Sequence, residues 1–514
     1  MTLLRAVLDT LLREDFCGMR TRGSVVDGWL RFRDCAIPVR PDGFLCDIAV
    51  AEPMVEYDGR QVTDLDSVLA LFRCWVEPDD VGGFDAFVTE CRDARATMAL
   101  QQAHRVTVPH RPGMAGSLRY DTLAAHVGHP VYPTGLARQG IAPADQLRYA
   151  PEYHPTFGLR WMGIPAAAVT SAGTLPDWWP TPDDLGLTGD VVPFPVHPLA
   201  GAGPEWLTVA PTLSMRTVAV LADPDTHIKL PLPTSTLGLR NRRTIKPGTL
   251  VDGAVIGRLL AAVLAREPRF ADRILLADEQ TYSHANDELR TFLIRRYPTG
   301  LDPADVVTLA ALPACSVPDD LADRYFAGDR TALLTEYLTL LLDFQVTLLL
   351  RYGIALESHQ QNISLVLDRV TGRTRTRLLL KDNDGPRVRA DRLPPDLTDD
   401  LALLDDQRVL VAHTEPLIDV FTTITLHLCA AAIVFGTGGI DRRLVRDLLV
   451  AAIDRHPDSA DRRLLVANTL AADRLPVKAM VTAGTLLTKQ RSGAADINKF
   501  YLRSGPNYLT NRST

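Results

Sequence analysis

The chain has 514 residues, 23% of them charged and 46% hydrophobic, with a formal net charge of −7. These proportions fit a soluble globular protein of several compact units, and the acidic balance excludes a nucleic-acid binder that works through a basic face. Seven cysteines, at 17, 35, 46, 74, 91, 315 and 429, are odd in number and hold no CxxC pair. That spacing argues against a disulfide framework or zinc site and for reduced thiols in the cytoplasm.

The amino terminus, MTLLRAVLDTLLREDF, is expected to form an amphipathic helix, because Arg5 and Asp9 break its apolar stretch and no signal-peptide core is present. Residues 1–110 read as mostly helical, with the clearest periodicity at Leu65–Phe72 and Phe87–Gln102. Proline and glycine punctuate 128–204 beside many His, Arg and Tyr residues, the composition of a shaped pocket wall. Residues 207–232 predict strands around a turn at Pro224–Asp225, and a helix follows at about 251–266. The segment 331–351 predicts a strong helix stopped by Gly353. Its longest apolar run, Tyr337–Leu350, is broken by Asp343 and Gln345 and is too short to cross a bilayer, so no membrane association is expected. Strands at Ile363–Leu367 and Thr376–Leu380 flank a turn at 368–372, and helices are expected at 415–435 and 442–455. The fold class is α+β.

Three constellations carry chemistry. Glu357-Ser-His359-Gln-Gln361-Asn362 precedes that hairpin, and Lys381-Asp382-Asn383-Asp384 comes after it. A hairpin returns its two ends to one place, so Asn362 and Asp382 would meet at a strand edge. A neutral oxygen beside a carboxylate suits Mg²⁺, and protein kinases use the same logic. Ser214, Arg216 and Thr217 on one predicted strand, with His227 and Lys229 on the next, could converge as a phosphate-binding set ahead of Arg240. A glycine-rich phosphate loop is absent. Third, GHPVYPTGLARQG at 128–140 places His129 and Arg138 in a proline-stiffened loop suited to a carboxylate-rich ligand.

In this order the segments GHPVYPTGLARQG, PVHP at 195–198, PTLSMRT at 211–217, HIKLPL at 227–232, YGIALESHQQN at 352–362 and KDNDG at 381–385 resemble the aerobactin-synthetase (IucA/IucC) family of NRPS-independent siderophore synthetases. The closing stretch from Leu475 to Leu509 resembles the family's last segment, so the likeness covers about three quarters of the chain. It implies a cupped-hand fold with a kinase-like metal and nucleotide hairpin, divided into a thumb (1–195), fingers (196–390) and palm (391–514), and a homodimer. It also implies an ATP- and Mg²⁺-dependent ligase that adenylates a carboxylate, citrate or a related polycarboxylate. A polyamine, amino acid or hydroxylated amine then captures the acyl-adenylate, and AMP and pyrophosphate are released. By the same resemblance Ser214, Arg216, Thr217, Lys229 and Arg240 hold the nucleotide, with His359, Gln361 and Asn362 in the nucleotide and metal loop. Lys229, Arg216, His359 and Arg240 would be catalytic; His129, Arg138, Arg240 and His359 would meet the substrate; Glu357, Asn362 and Asp382 would hold the metal. The chain departs from the family pattern at Tyr132 and Leu136, where a second His and a Lys are common, and at Lys381, where an Arg is common. Two other readings are a small-molecule phosphotransferase, which would yield ADP, and a non-catalytic carboxylate- or siderophore-binding protein.

Overall fold

The computed structural model describes residues 2–314, 316–494 and 499–510; Cys315 lies outside the described residues. The chain opens with the helix Leu3–Arg13, capped by the Thr2 side chain, whose Leu4, Val7, Leu8, Leu11 and Leu12 are buried. The stretch from 24 to 62 is not helical. Strands β1 (Ser24–Val26), β2 (Trp29–Phe32), β3 (Cys35–Pro41), β4 (Ile48–Val50), β5 (Val55–Tyr57) and β6 (Arg60–Val62) form a six-stranded antiparallel sheet before the helices Leu65–Arg73 and Val81–Ala103. Asp27-Gly28 and Asp58-Gly59 take positive φ at both positions, 51° and 78°, then 50° and 69°. That geometry makes the tight turns that match the twist of a hairpin.

The middle of the chain supplies β7 (Phe157–Pro165), β8 (Thr170–Ala172), β9 (Val191–Val196), β10 (Glu205–Pro211), β11 (Thr217–Val220), β12 (Asp223–Lys229), β13 (Ile274–Leu276), β14 (Asp278–His284), β15 (Thr291–Arg296) and β16 (Asp305–Thr308). Eight of these form one sheet in the order β8-β14-β15-β12-β11-β10-β7-β9, and Trp161, Trp179, Phe194 and Phe292 fill the core against it. The sheet takes strands from both sides of residue 195. The hairpin between β11 and β12 turns at Leu221–Ala222, not at Pro224–Asp225, which lie within β12.

The helix Arg330–Tyr352 runs between an Asp329 cap and Gly353, whose φ of 64° ends it. Strands β17 (Ile354–Ala355), β18 (Ile363–Val370) and β19 (Arg373–Leu380) come next, and β13-β19-β18-β16 make a four-stranded sheet. The segment Glu415–Thr437 is helical throughout but π-wound from Phe421 to Ala431. Two carbonyls in that stretch accept side chains: Leu428 from Gln360 Nε2 at 2.6 Å and Cys429 from Tyr337 Oη at 2.7 Å. A widened turn at such a point is a common mark of a functional site.

By length and composition three helices, Pro247–Ala265, Arg330–Tyr352 and Glu415–Thr437, are apolar enough to cross a membrane, contrary to the expectation from the 337–350 run alone. The last two bury 78% and 89% of their most apolar windows inside the protein. Their hydrophobicity therefore serves the large core, which gathers Leu341, Phe344, Leu348, Ile424, Leu426 and Ile433.

Candidate functional site

A cavity of about 350 Å³ opens between the eight-stranded sheet, the β18–β19 hairpin and the π-wound helix. Three stretches line it, 124–141, 213–243 and 357–384, together with Ala310, Ile424, Leu428, Lys478 and Met480. The β18–β19 hairpin registers Ile363 opposite Leu380, and the Lys381 amide donates to the Asn362 carbonyl at 3.0 Å. Asn362 Nδ2 then reaches the Asp382 carbonyl at 3.4 Å. Met215, Leu237 and Asp382 all line the cavity and all hold positive φ, 63°, 56° and 58°. Such conformations cost non-glycine residues roughly 1–3 kcal/mol each and collect where a site dictates geometry.

Asp382 is the electrostatic centre. Lys229 Nζ, at the end of β12, donates to Asp382 Oδ1 and stands 3.8 Å from Asp384 Oδ2. Arg295 Nη2 lies 3.2 Å from the same Asp382 oxygen, while its Nε donates to Glu279, whose carboxylate accepts the Asp382 amide. Burial alone would raise the Asp382 carboxyl; Lys229, Arg295 and Arg216 together hold it well below the usual carboxylate range.

Cations outnumber carboxylates on the cavity wall: Arg138, Arg216, Lys229, Arg243 and Lys478 against Glu357, Asp382 and Asp384. Arg216 gives Nη1 to the carbonyls of Arg243 and Thr244 at 3.2 and 2.8 Å, and burial lowers its pKa. Burial, with Arg216 close by, brings Arg243 down to about 9. The Nε atoms of both arginines are buried without a hydrogen-bond partner among the described residues. Buried guanidiniums short of acceptors are the complement of a polyanion.

The two histidines are neutral. Burial, then His359 and Lys478, bring His129 to about 3; burial brings His359 to about 4 against the opposing charge of Glu357. His129 Nδ1 accepts the Val131 amide at 3.2 Å, and His359 Nδ1 accepts the Gln361 amide at 3.3 Å. Each ring therefore carries its proton on Nε2, a donor suited to a carboxylate or phosphate oxygen. Glu357 falls to about 2: burial raises it, but Lys499 at 2.7 Å and Lys478 at 3.7 Å outweigh that.

Of the residues expected from sequence, His129, Arg138, Ser214, Arg216, Lys229, Glu357, His359, Gln361, Asn362 and Asp382 share this cavity wall. Ser214 and Arg216 sit in the turn after β10, not side by side on a strand. Ser214 Oγ accepts the Thr217 amide at 3.1 Å. Thr217 starts β11, is buried, and falls outside the cavity lining. Arg240 is also absent from the lining; its Nη1 donates to the Thr485 and Ala483 carbonyls at 3.1 and 3.4 Å. Arg138 meets fully buried Glu152 at 2.8 Å, which neutralises it. Sequence reasoning missed Arg243, Lys478, Arg295, Glu279 and Lys499. The scarcity of lysine, six among 55 basic residues, was the available signal, since Lys229, Lys478 and Lys499 all converge here.

Comparison with known proteins bears on the same region. The IucA / IucC family matches residues 118–202 and 195–314, which hold the 128–140 loop and the cationic strands. Between residues 118 and 314 the chain is thus similar to the IucA/IucC family. A second family, described as ferric iron reductase FhuF-like transporter, matches 331–493, the part with the β18–β19 hairpin and Lys478. The petrobactin biosynthesis protein AsbB of Bacillus anthracis shares the fold with a TM-score of 0.79, at 17% identity over 99% of this chain and 95% of that one. Aerobactin synthetase IucC of Klebsiella pneumoniae gives 0.71, at 19% identity over 99% and 97%. ATP-bound aerobactin synthetase IucA of the same species gives 0.74, at 16% identity over 99% of both chains. An uncharacterised Sinorhizobium fredii protein, y4xN, is 25% identical over 317 residues, and the match spans about half the length of each chain, 50% of both. The mixed α+β architecture is thus shared with these three structures along nearly the whole chain.

Proposed function

We propose that this chain is an ATP-dependent ligase of siderophore biosynthesis, which adenylates a carboxylate, citrate by default, and joins it to an amine or hydroxyl with release of AMP and pyrophosphate. The observation that carries the reading is the pairing, in one cavity, of under-partnered cations (Arg216, Arg243) with Lys229 and the Asn362–Asp382 corner. The IucA / IucC match over 118–314 and a fold shared with ATP-bound IucA support it.

Arg216, Lys229 and Arg243 would bind the triphosphate and neutralise charge that builds on the α-phosphate oxygens and departing pyrophosphate. Fixed charges aimed there lower the barrier because they need no reorganisation as the bond breaks. Neutral His129 and His359 would orient the acid through Nε2–H. Asn362, Asp382 and Asp384 fit Mg²⁺ because all offer oxygen, although the ion would share the two carboxylates with the Lys229 ammonium. No cluster of three acidic, His or Cys ligands exists among the described residues, which suits an ion that keeps water and phosphate oxygens as its other ligands. Bound there, Mg²⁺ would supply charge neutralisation to the phosphates. Glu357, too, is already paired with cations, Lys499 at 2.7 Å and Lys478 at 3.7 Å.

The test is nucleotide accounting with citrate and a panel of amines and amino alcohols. AMP and pyrophosphate in equal amounts support the ligase. ADP as the sole product would establish a phosphotransferase instead, and no turnover with any pair would leave a binding protein.

A further inference from the structure

The first 123 residues supply none of the described side chains that line the cavity, yet buried charged groups from that region reach the segments that do. Arg13 Nη2 donates to the Val131 carbonyl at 2.6 Å. Glu14 accepts the Val481 and Thr482 amides at 3.1 and 2.7 Å. Glu90, 2% exposed on the Val81–Ala103 helix, does most. Its Oε2 accepts the hydroxyls of Tyr132 at 2.9 Å and Thr134 at 3.1 Å, and its Oε1 accepts that of Thr485 at 2.7 Å.

Thr485 passes the constraint on. Its Oγ1 accepts the Leu239 amide at 3.1 Å, its carbonyl accepts Arg240 Nη1, and the neighbouring Gly484 carbonyl accepts the Arg240 amide at 3.1 Å. The three backbones lie in direct contact. A Cβ on Gly83 of the helix would come within 2.1 Å of the Leu486 carbonyl oxygen. Gly238, at φ 117°, would bring one to 3.1 Å from the Gly484 backbone. On the far side of this stack, Thr234, Thr236, Leu237 and Asn241 face the cavity. Glu90 thus ties two separate walls, the His129–Leu136 loop through Tyr132 and Thr134, and the 234–243 loop through Thr485.

We propose that Glu90 is a positioning residue: through Tyr132 and Thr485 it seats the 129–136 and 234–243 loops against one helix and so sets the width of the cavity between them. A carboxylate suits the task because it accepts several hydroxyls at once, and a buried network of this kind fixes one arrangement only while every member is satisfied.

The test uses the full chain with Glu90→Ala, Glu90→Gln and the near-isosteric Thr485→Val. The 234–243 loop carries Arg240, Arg242 and Arg243, and Leu239 at its tip is 49% exposed, so native-state trypsin cleavage after Arg240 and Arg242 reports seating without any substrate. Loss of one buried hydrogen-bond partner is expected to raise that cleavage about tenfold in Glu90→Ala and in Thr485→Val, with melting still cooperative and Glu90→Gln in between. The second arm rests on the ligase reading: KM for the acid should rise about tenfold while kcat moves less than about threefold. Unchanged loop cleavage in Thr485→Val would overturn the proposal. So would cleavage raised equally at every arginine, or kcat lost in step with the folded fraction. Absence of AMP from the unmodified protein would sink the ligase reading alone, since the cleavage arm needs no reaction.

Discussion

Replacing Lys229 with methionine removes the ammonium that Asp382 and Asp384 share while keeping a chain of similar bulk. The Lys229 side chain is 7% exposed, so water cannot take its place cheaply. At the 3.8 Å that separates it from Asp384 Oδ2, the attraction is about 4 kcal/mol at an effective dielectric of 20, before desolvation. Leaving one member of a buried pair uncompensated costs about 3–5 kcal/mol. The lower end applies here, because Arg295 still stands 3.2 Å from Asp382. We therefore expect Lys229→Met to lose about 3 kcal/mol of unfolding free energy in urea. Loss of a fixed charge at the phosphates should lower kcat by about 10²–10³-fold, the cost of deleting one preorganised donor, in a saturating-ATP assay of AMP and pyrophosphate. Turnover within a few-fold of wild type would refute the phosphate role and reduce Lys229 to a structural ion pair. A normal urea midpoint would refute the charge argument itself.

Acid should destabilise the protein in two stages. His129 and His359 are held at about 3 and 4 when folded, so between pH 6.5 and 4 the unfolded chain binds protons that the native state refuses, and stability falls as pH falls. Glu357, at about 2 against an ordinary 4.5, loses its contribution from pH 4.5 downward. Buried His197, His227 and His427 are lowered in the same way, so urea midpoints at pH 7, 5.5 and 4 should show the first stage, and His359→Asn, which keeps an acceptor for the Gln361 amide, should make it shallower by one group's share; an unchanged slope would mean His359 is not held neutral. Arg243→Gln should weaken ATP binding by about 10–100-fold in calorimetry, the worth of a charged hydrogen bond. An unchanged Kd would remove Arg243 from the phosphate set.

The sequence was most informative where local pattern and tertiary placement coincide. The run ISLVLDRVTGRTRTRLLL pairs with itself through Thr371-Gly372, so adjacency of Asn362 and Asp382 follows from chain geometry alone. The helix over 330–352 was legible from its periodicity and glycine stop. In residues 24–62 the strands are only three to seven residues long, too short to establish a period; VVDGWL and EYDGRQ were the hairpin signals overlooked. Ser214 and Arg216 read as strand because they sit in an alternating apolar run, whereas Met215 takes φ 63° and makes the segment a turn. For Arg295, Glu279, Lys478 and Lys499 the pairing itself was not legible: each meets its partner from a different strand or a distant segment, and no spacing along the chain encodes that.

The ordering of charges along the chain has a consequence in time. Arg216, Lys229 and Arg243 leave the ribosome well before Glu357, Asp382 and Asp384, and the eight-stranded sheet is complete in sequence at Arg296. A nascent chain that closed the cationic end of that sheet early would enclose guanidinium and ammonium groups with no counter-charge, at prohibitive cost. The segment after the β18–β19 hairpin is what delivers the carboxylates Asp382 and Asp384 to Lys229. Completion of the site therefore draws on both halves of the polypeptide, the cations from one and the carboxylates from the other.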